Sequence, residues 1–221
     1  MIEGLFPPEV RVVRADAGMA SEPLHPDEAR DTARMASKRL AEFRLGRACA
    51  HRALAALGHT DFALRNDEAR VPIWPTGIVG SLTHCEGFCA AVVAPDAVLL
   101  GVGIDAEPKR PLKARILQRI SSEAERQHLA SLPPAPGEGD WGLLLFSAKE
   151  SFYKCYFPLA RRFLGFRDAE IEFLPGEGRF HARLLAQDAP SAAGWRSATG
   201  CFGVDAHHVA TGVVLPATGP S

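Results

Sequence analysis

The sequence contains no long apolar run, and this excludes several classes of protein. No stretch approaches the roughly 18 apolar residues that a membrane-spanning helix requires. The first ten residues are interrupted by Glu3, Pro7, Pro8 and Glu9, where a secretory signal would be apolar. Lys and Arg number 25 against 26 Asp and Glu, and a formal net charge of −1 gives no reason to expect nucleic acid or anionic membrane as a partner. We therefore expect a cytoplasmic protein that binds neither membrane nor nucleic acid.

Cysteine is also scarce. The five cysteines, at positions 49, 85, 89, 155 and 201, are odd in number and widely scattered. This distribution is typical of reduced thiols in a core rather than of a disulfide framework, so no disulfide is expected. Cys85 and Cys89 lie near His84, but no second Cys or His pair at finger spacing completes a zinc site.

Two common groups of catalytic signatures are missing as well. The sequence has no P-loop pattern G-x-x-x-x-G-K-[ST] and no kinase signature set. Ser81 lacks the G-x-S-x-G turn of a serine hydrolase, and Cys85 lacks an identifiable orienting partner. A serine or cysteine nucleophile paired with His84 is kept only as an alternative.

The order of helical and strand-like segments predicts an α+β chain in two comparable halves, with a boundary near residues 108–111. Residues 27–57 contain no proline and repeat Ala, Leu and Phe at helical spacing, which predicts one long helix or two joined helices. Further helices are predicted within 112–132 and 141–155, and an edge strand around 10–13. The other predicted strands are 78–82, 88–93, 98–104, 169–174, 179–185, 200–204 and 209–215.

Two carboxylates end the last strand of the first half. In GVGIDAEP, residues 101–108, Asp105 and Glu107 are two positions apart and therefore point to the same side of a strand. Hard divalent cations prefer such oxygen ligands, while a solvated acidic strand end is the simpler alternative. The segment also fits the dinucleotide pattern G-x-G-x-x-A, but that loop opens directly into a helix, and Pro108 disfavours helical geometry at the residue before it.

The segment FSAKESFYK, residues 146–154, lies on the predicted helix at 141–155. Apolar residues occupy one face, and Glu150 and Lys154 lie one turn apart on another, with Lys149 beside them. By itself this arrangement is most simply a surface ion pair of Glu before Lys.

Two further groups are candidates for binding an anion. Thr83 and His84, in WPTGIVGSLTHC at 74–85, come where a strand ends, and a hydroxyl with an imidazole can bind phosphate oxygens. Arg39 and Arg47 are two turns apart on the first long helix, about 12 Å along its axis, and can bracket an anionic ligand. A packed histidine and a solvated helix face are the alternatives.

Together and in this order, these segments resemble the 4′-phosphopantetheinyl transferase superfamily, and within its large, surfactin-synthetase-activating branch the bacterial siderophore-type subgroup. The match spans about residues 38–166. The resemblance implies two similar α/β lobes related by a pseudo-twofold axis, residues 1–108 and 109–221, with coenzyme A in the cleft between them, and a monomer. Its specific parts are G-R-x-C-A at 46–50, W-P-x-G-x-x-G-S-L-T-H-C at 74–85, G-I-D-A-E at 103–107 and K-E-S-x-Y-K at 149–154.

The resemblance also implies a reaction and the residues that perform it. The reaction is Mg²⁺-dependent transfer of the 4′-phosphopantetheine group from coenzyme A to a serine of an apo acyl or peptidyl carrier protein. Asp105, Glu107 and Glu150 become the ligands of Mg²⁺, with Mn²⁺ as an alternative, and Glu150 is also the general base. Lys154 stabilises charge on the pyrophosphate. The other residues implied to hold coenzyme A are Thr83, His84, Lys149, Arg39, Arg47, Arg65 and Arg70.

The role of one acidic residue is left open at this point. Glu125 lies where many relatives have a further acidic residue near the metal. It also stands three residues after Ser122, the spacing of a capping box, so a purely structural role is an equal alternative.

A run of cations directly follows the metal strand. It contains no acid and suits the acidic helix that carrier proteins of this family present, although a solvated helix face explains it equally. Its members are Lys109, Arg110, Lys113, Arg115 and Arg119. The carrier's pathway, whether nonribosomal peptide, polyketide, siderophore or fatty-acid synthesis, is left open. A non-catalytic coenzyme A-binding regulator and another Mg²⁺-dependent phosphoryl transferase are the alternative functions.

Overall fold

The computed structural model describes residues 1–33, 35–187 and 194–217 and has mixed helix and sheet, which confirms the predicted α+β class. The helices are α1 (Pro26–Ala29), α2 (Ser37–Ala55), α3 (Ala114–Ile120), α4 (Glu123–Ser131) and α5 (Trp141–Ala160). The strands are β1 (Arg11–Arg14), β2 (Ile78–Cys85), β3 (Phe88–Pro95), β4 (Leu99–Pro108), β5 (Ala169–Leu174), β6 (Arg179–Leu184), β7 (Ser197–Val204) and β8 (His208–Pro216). Within the described ranges, no helix combines the length and the apolar character needed to cross a bilayer.

Local signals account for where the helices begin and end. The segment predicted at 27–57 as one long helix or two joined helices contains the short α1 and the separate long α2, which begins at Ser37. Ser122 caps α4, because its hydroxyl accepts a hydrogen bond from the Glu125 amide while the Glu125 side chain accepts one from the Ser122 amide. Helix α5 begins at the Asp140 cap and ends at Arg161, whose φ of 52° is left-handed.

The strands form two antiparallel sheets. The first has the order β1-β3-β2, so β1 is the predicted edge strand, and α2 packs against it. The second has the order β4-β8-β7-β6-β5, and α5 packs against it. Each long helix therefore covers one sheet, with the apolar core of each unit between helix and sheet.

Strand β4 connects the two sheets. It is hydrogen-bonded to β8, and Asp105 lies opposite Thr211 in that pairing. It is also held to β2 through side chains, because the Ile104 amide donates to Ser81 Oγ at 3.2 Å and the Ala106 amide donates to Thr83 Oγ1 at 3.1 Å. The boundary expected after residue 108 therefore separates β4 from the strand that pairs with it.

Helix α5 approaches β4 unusually closely. A Cβ atom built on Gly103 would lie 1.9 Å from the carbonyl oxygen of Ser151, a distance that no side chain tolerates. The glycine of the G-I-D-A-E segment is thus explained by contact between two backbones rather than by a phosphate-binding loop. This contact brings the helix that carries Glu150 and Lys154 next to the strand that carries Asp105.

Candidate active site

Asp105 and Lys154 form the centre of the candidate site. Asp105 is only 4% exposed on β4, and its Oδ1 accepts a hydrogen bond from Lys154 Nζ at 2.7 Å. Lys154 comes from α5 and also donates to the Ile104 carbonyl at 3.1 Å. The predicted strand end and the predicted helix therefore meet through a direct ion pair between their side chains.

The second carboxylate oxygen of Asp105 takes no part in this ion pair. Its Oδ2 is buried and has no hydrogen-bond partner among the described residues. A buried carboxylate oxygen without a partner is costly, so it marks a position where a ligand would relieve the penalty.

The charges of Glu107 and Glu150 interact with the same ion pair. Burial first, and then the charges of Asp105 and Glu150, raises the pKa of Glu107 to about 7. Burial and Asp105 also raise the pKa of Glu150, while Lys154 opposes both shifts. Three carboxylates thus interact with Lys154 and, at Glu107, also with Arg110, so negative charges still outnumber positive ones. As placed, no three acidic, histidine or cysteine side chains of the described residues converge closely enough to hold an ion already.

A cavity of about 340 Å³ opens beside Lys154 and Thr83. It is bounded by α2, β2, α5 and the loop between α2 and β2. The predicted binding residues Arg39, Arg47, Arg70, Thr83, His84 and Lys154 all line it. The structure therefore gathers six residues, predicted from four separate segments, around one space.

Two of these groups form a cationic contact at the wall of the cavity. Arg39 Nη1 lies 3.0 Å from His84 Nε2, and Glu42 Oε2 lies 3.3 Å from the same nitrogen. Burial and the neighbouring Arg39 lower the pKa of His84. In a neutral imidazole that accepts from Arg39 at Nε2, the Nδ1–H remains as a donor, so the guanidinium and the imidazole can each donate a hydrogen bond to an anionic ligand.

Arg47 is held deeper in the wall of the cavity. Its guanidinium lies over the Phe43 ring at 4.4 Å and donates to Asn66 Oδ1 at 2.9 Å. The buried Glu28 lies 3.8 Å from it. Phe43 and Asn66 line the cavity and were not predicted as site residues. Helical spacing is the signal for Phe43, which stands four positions before Arg47, whereas Asn66 follows no pattern.

Two predicted binding residues lie elsewhere. Lys149 is 4% exposed, and its ammonium is enclosed by Glu125 and three backbone carbonyls at 2.6–2.9 Å. The prediction that it stands beside Lys154 to hold coenzyme A is wrong, because helical residues five positions apart point about 140° away from each other. Arg65 is exposed and is not among the residues that line the cavity.

The same contacts show what Glu125 does. Its Oε2 accepts from the Ser122 amide at 2.7 Å and from Lys149 at 2.9 Å, and its Oε1 accepts from the Ile171 amide at 3.0 Å. Both oxygens are therefore engaged within the fold. Of the two alternatives for this residue, the structure supports the structural one.

Two family models match the sequence. The model described as the 4′-phosphopantetheinyl transferase N-terminal domain matches residues 27–94, and the model of the 4′-phosphopantetheinyl transferase superfamily matches residues 101–211. The two matches meet close to the start of β4.

Three curated proteins are similar over most of their length. The chain is 42% identical to the 4′-phosphopantetheinyl transferase Svp of Streptomyces mobaraensis over 188 residues, which are 84% of this chain and 76% of that protein. It is 39% identical to the 4′-phosphopantetheinyl transferase Npt of Nocardia iowensis, over 84% of this chain and 85% of that protein. It is 43% identical to the 4′-phosphopantetheinyl transferase PptT of Mycobacterium tuberculosis, over 72% of this chain and 71% of that protein.

Proposed function

The chain belongs to the 4′-phosphopantetheinyl transferase superfamily and is a 4′-phosphopantetheinyl transferase, which modifies carrier proteins with coenzyme A, and we propose how its residues divide the work. Coenzyme A binds in the cavity beside Lys154, with its phosphates near Arg39, Arg47, Arg70, Thr83 and His84. Asp105, Glu107 and Glu150 bind a divalent metal ion. Glu150 is also the base that accepts the proton of the carrier's serine.

One observation carries this assignment. Lys154 lines the cavity and at the same time pairs with Asp105 at 2.7 Å. The cationic cavity that suits a phosphate-rich substrate is therefore continuous with the acidic group that suits a metal ion. A pyrophosphate placed between them would be in reach of both.

The three carboxylates fit a hard cation by charge and by donor type. All their side-chain donors are oxygen, the ligand that Mg²⁺ prefers, and Mn²⁺ is an alternative. The partnerless Oδ2 of Asp105 and the raised pKa of Glu107 both reflect negative charge that an added cation would stabilise. When bound, the ion would neutralise charge on the pyrophosphate of coenzyme A.

The chain's own residues then account for the transfer. The serine oxygen of the carrier attacks the β-phosphorus of coenzyme A, and the bond from that phosphorus to the bridging oxygen breaks, releasing adenosine 3′,5′-bisphosphate. The serine proton passes to Glu150, directly or through one water. Burial and Asp105 raise the pKa of Glu150, which makes its carboxylate a stronger base. Lys154 faces the charge that develops on the leaving group.

Incubation with coenzyme A, Mg²⁺ and an apo carrier domain tests the activity. The carrier is expected to gain the mass of one phosphopantetheine at its serine, and a carrier whose serine is replaced by alanine is the matched control. No gain with any of a panel of acyl and peptidyl carriers would exclude the proposed activity. Binding of coenzyme A without transfer would instead support a non-catalytic regulator, and binding of ATP in its place another phosphoryl transferase.

The surface after β4 is the proposed docking site for the carrier. Arg110, Lys113, Arg115 and Arg119 are exposed on and before α3, whereas Lys109 donates to the Gly137 carbonyl at 2.9 Å. An acidic helix of a carrier would meet this face directly after the metal strand. The carriers are proposed to belong to nonribosomal peptide, polyketide or siderophore synthesis, and the enzyme to act as a cytoplasmic monomer.

Reversing charge on this face is expected to weaken carrier binding alone. The double variant R115E/R119E should raise KM for the carrier about tenfold or more, because two attractive charges become repulsive. KM for coenzyme A should stay within twofold, since neither residue lines the cavity. Reversal of Arg179, which is exposed on β6 and pairs with Glu177, is the control. An unchanged carrier KM in R115E/R119E would exclude this face.

A further inference from the structure

The walls of the coenzyme A cavity come from both halves of the chain. One wall is the loop of residues 66–72, between α2 and β2, which contributes Asn66, Arg70 and Pro72. The facing wall is the last turns of α5, which contribute Phe157 and Pro158. The width of the cavity therefore depends on how the 66–72 loop lies relative to the end of α5.

The 66–72 loop is a tight hairpin, and Arg47 of α2 donates to its Asn66 at 2.9 Å. Asn66 and Pro72 form an isolated antiparallel bridge, and the Asp67 amide donates to the Val71 carbonyl at 2.9 Å. Asp67 Oδ1 accepts from the Val71 amide at 2.8 Å, which closes the turn. Arg70 has a left-handed φ of 65° at its tip. These bonds define the shape of the loop but do not attach it to α5.

Among the described residues, an ion pair attaches the loop to the end of α5. Asp67 Oδ2 pairs with Nη1 of Arg161, the residue that ends α5. Arg161 holds its left-handed conformation while its amide donates to the Phe157 carbonyl at 2.9 Å. Arg161 also lowers the pKa of Asp67, ahead of the Val71 amide, so the pair is charged at neutral pH.

We propose that Asp67 and Arg161 are positioning residues for coenzyme A, which hold the 66–72 loop against the end of α5 and keep the cavity closed around the bound substrate. The proposal rests on the assignment of coenzyme A to this cavity. Neither residue belongs to the catalytic group. Their effect acts through Arg70 and Asn66 on one wall and through Phe157 on the other.

The expected effect is modest because the pair is partly exposed. The side chains are 55% exposed for Arg161 and 24% for Asp67, and pairs of this kind contribute little in water. Loss of the pair should raise the dissociation constant of coenzyme A about two- to fivefold, mainly through faster dissociation. The turnover number at saturating coenzyme A should not change, because the catalytic residues keep their places. The difference should shrink at high ionic strength.

The test is a double-mutant cycle on coenzyme A affinity. Asp67→Asn keeps an oxygen for the Val71 amide, and Arg161→Asn suits the left-handed backbone, so each removes the ion pair without disturbing the turn. Arg14→Gln is the matched control, because Arg14 pairs at 3.8 Å with Asp205 across the same two halves but does not line the cavity. Dissociation constants and rates are measured for the wild type, both single variants, the double variant and the control.

The proposal predicts that each single variant and the double variant weaken coenzyme A binding by the same factor, with kcat unchanged and R14Q unaffected. Wild-type affinity in D67N or R161N would overturn it. Additive effects in the double variant would also overturn it, since the two residues would then act separately. A wild-type protein that does not bind coenzyme A would overturn the proposed function as well, so the two failures are distinguishable.

Discussion

Replacing Asp105 by Asn is expected to abolish phosphopantetheine transfer, with a loss of about a thousandfold or more in kcat. The change removes the charge of the residue that joins the metal group to Lys154 while keeping its shape. Electrostatic groups of this kind contribute about 10² to 10³ each, and the base Glu150 a comparable factor. Glu150→Gln is therefore expected to cause a similar loss. The measurement is the rate of carrier modification at saturating coenzyme A.

A second measurement separates loss of metal binding from loss of folding. In the wild type, Mg²⁺ at about ten times its dissociation constant should stabilise the fold by about 1.4 kcal/mol, which raises the melting temperature by roughly 3–6 °C. This shift should disappear in D105N, while cooperative unfolding without metal shows that the variant is folded, since its amide oxygen can still accept from Lys154. Glu177→Gln, at an exposed carboxylate in a turn, is the control and should keep both activity and shift. Full activity in D105N or E150Q would contradict the assigned roles.

Replacing Lys149 by Met is expected to cost about 3–5 kcal/mol of stability, because it leaves the buried carboxylate of Glu125 without its partner. Three carbonyls, from Ile120, Phe166 and Ala169, also lose their donor. Burial lowers the pKa of Lys149 more than Glu125 raises it, so the intact pair itself carries a desolvation cost. The loss of stability in K149M therefore comes from leaving Glu125 charged, buried and unpaired. It does not mean that the intact pair stabilises the fold by the same amount. Thermal or denaturant unfolding measures it.

Two further variants test this explanation. Arg183→Met removes an exposed ion pair with Glu170 and should lower the stability far less than K149M does. The double variant K149M/E125Q should be less destabilised than the sum of its single variants, since it leaves no unpaired buried charge. A cost for K149M similar to that of R183M would show that the pair is not an important contact.

The fold was predictable wherever its signals are local. The capping box at Ser122, the apolar stripe of α5 and the short apolar runs of the strands place most elements within a few residues of their observed bounds. The pairing of β4 with β8 was not predictable, because its partner lies at the other end of the chain. Because the pairing of β4 with β8 could not be predicted, the boundary between the two halves was placed after residue 108, between these two strands.

The sequence predicted which residues belong to the candidate site better than it predicted the contacts between them. Alternation along a strand placed Asp105 and Glu107 on one side, and helical spacing placed Glu150 near Lys154. The pair of Lys154 with Asp105 depends on how α5 packs on β4, which no local pattern contains. Lys149 was misplaced because adjacency in sequence is not adjacency on a helix. Asp67 and Arg161 are ordinary surface charges in sequence, and only the folded loop brings them together.

The contact at Gly103 also limits how two parts of the candidate site can be changed by mutation. Because the backbone of β4 touches the backbone of α5 there, no side chain fits between the strand with Asp105 and the helix with Glu150. Mutational tolerance should therefore be lowest at position 103, which should accept no side chain, although it contributes none to the chemistry.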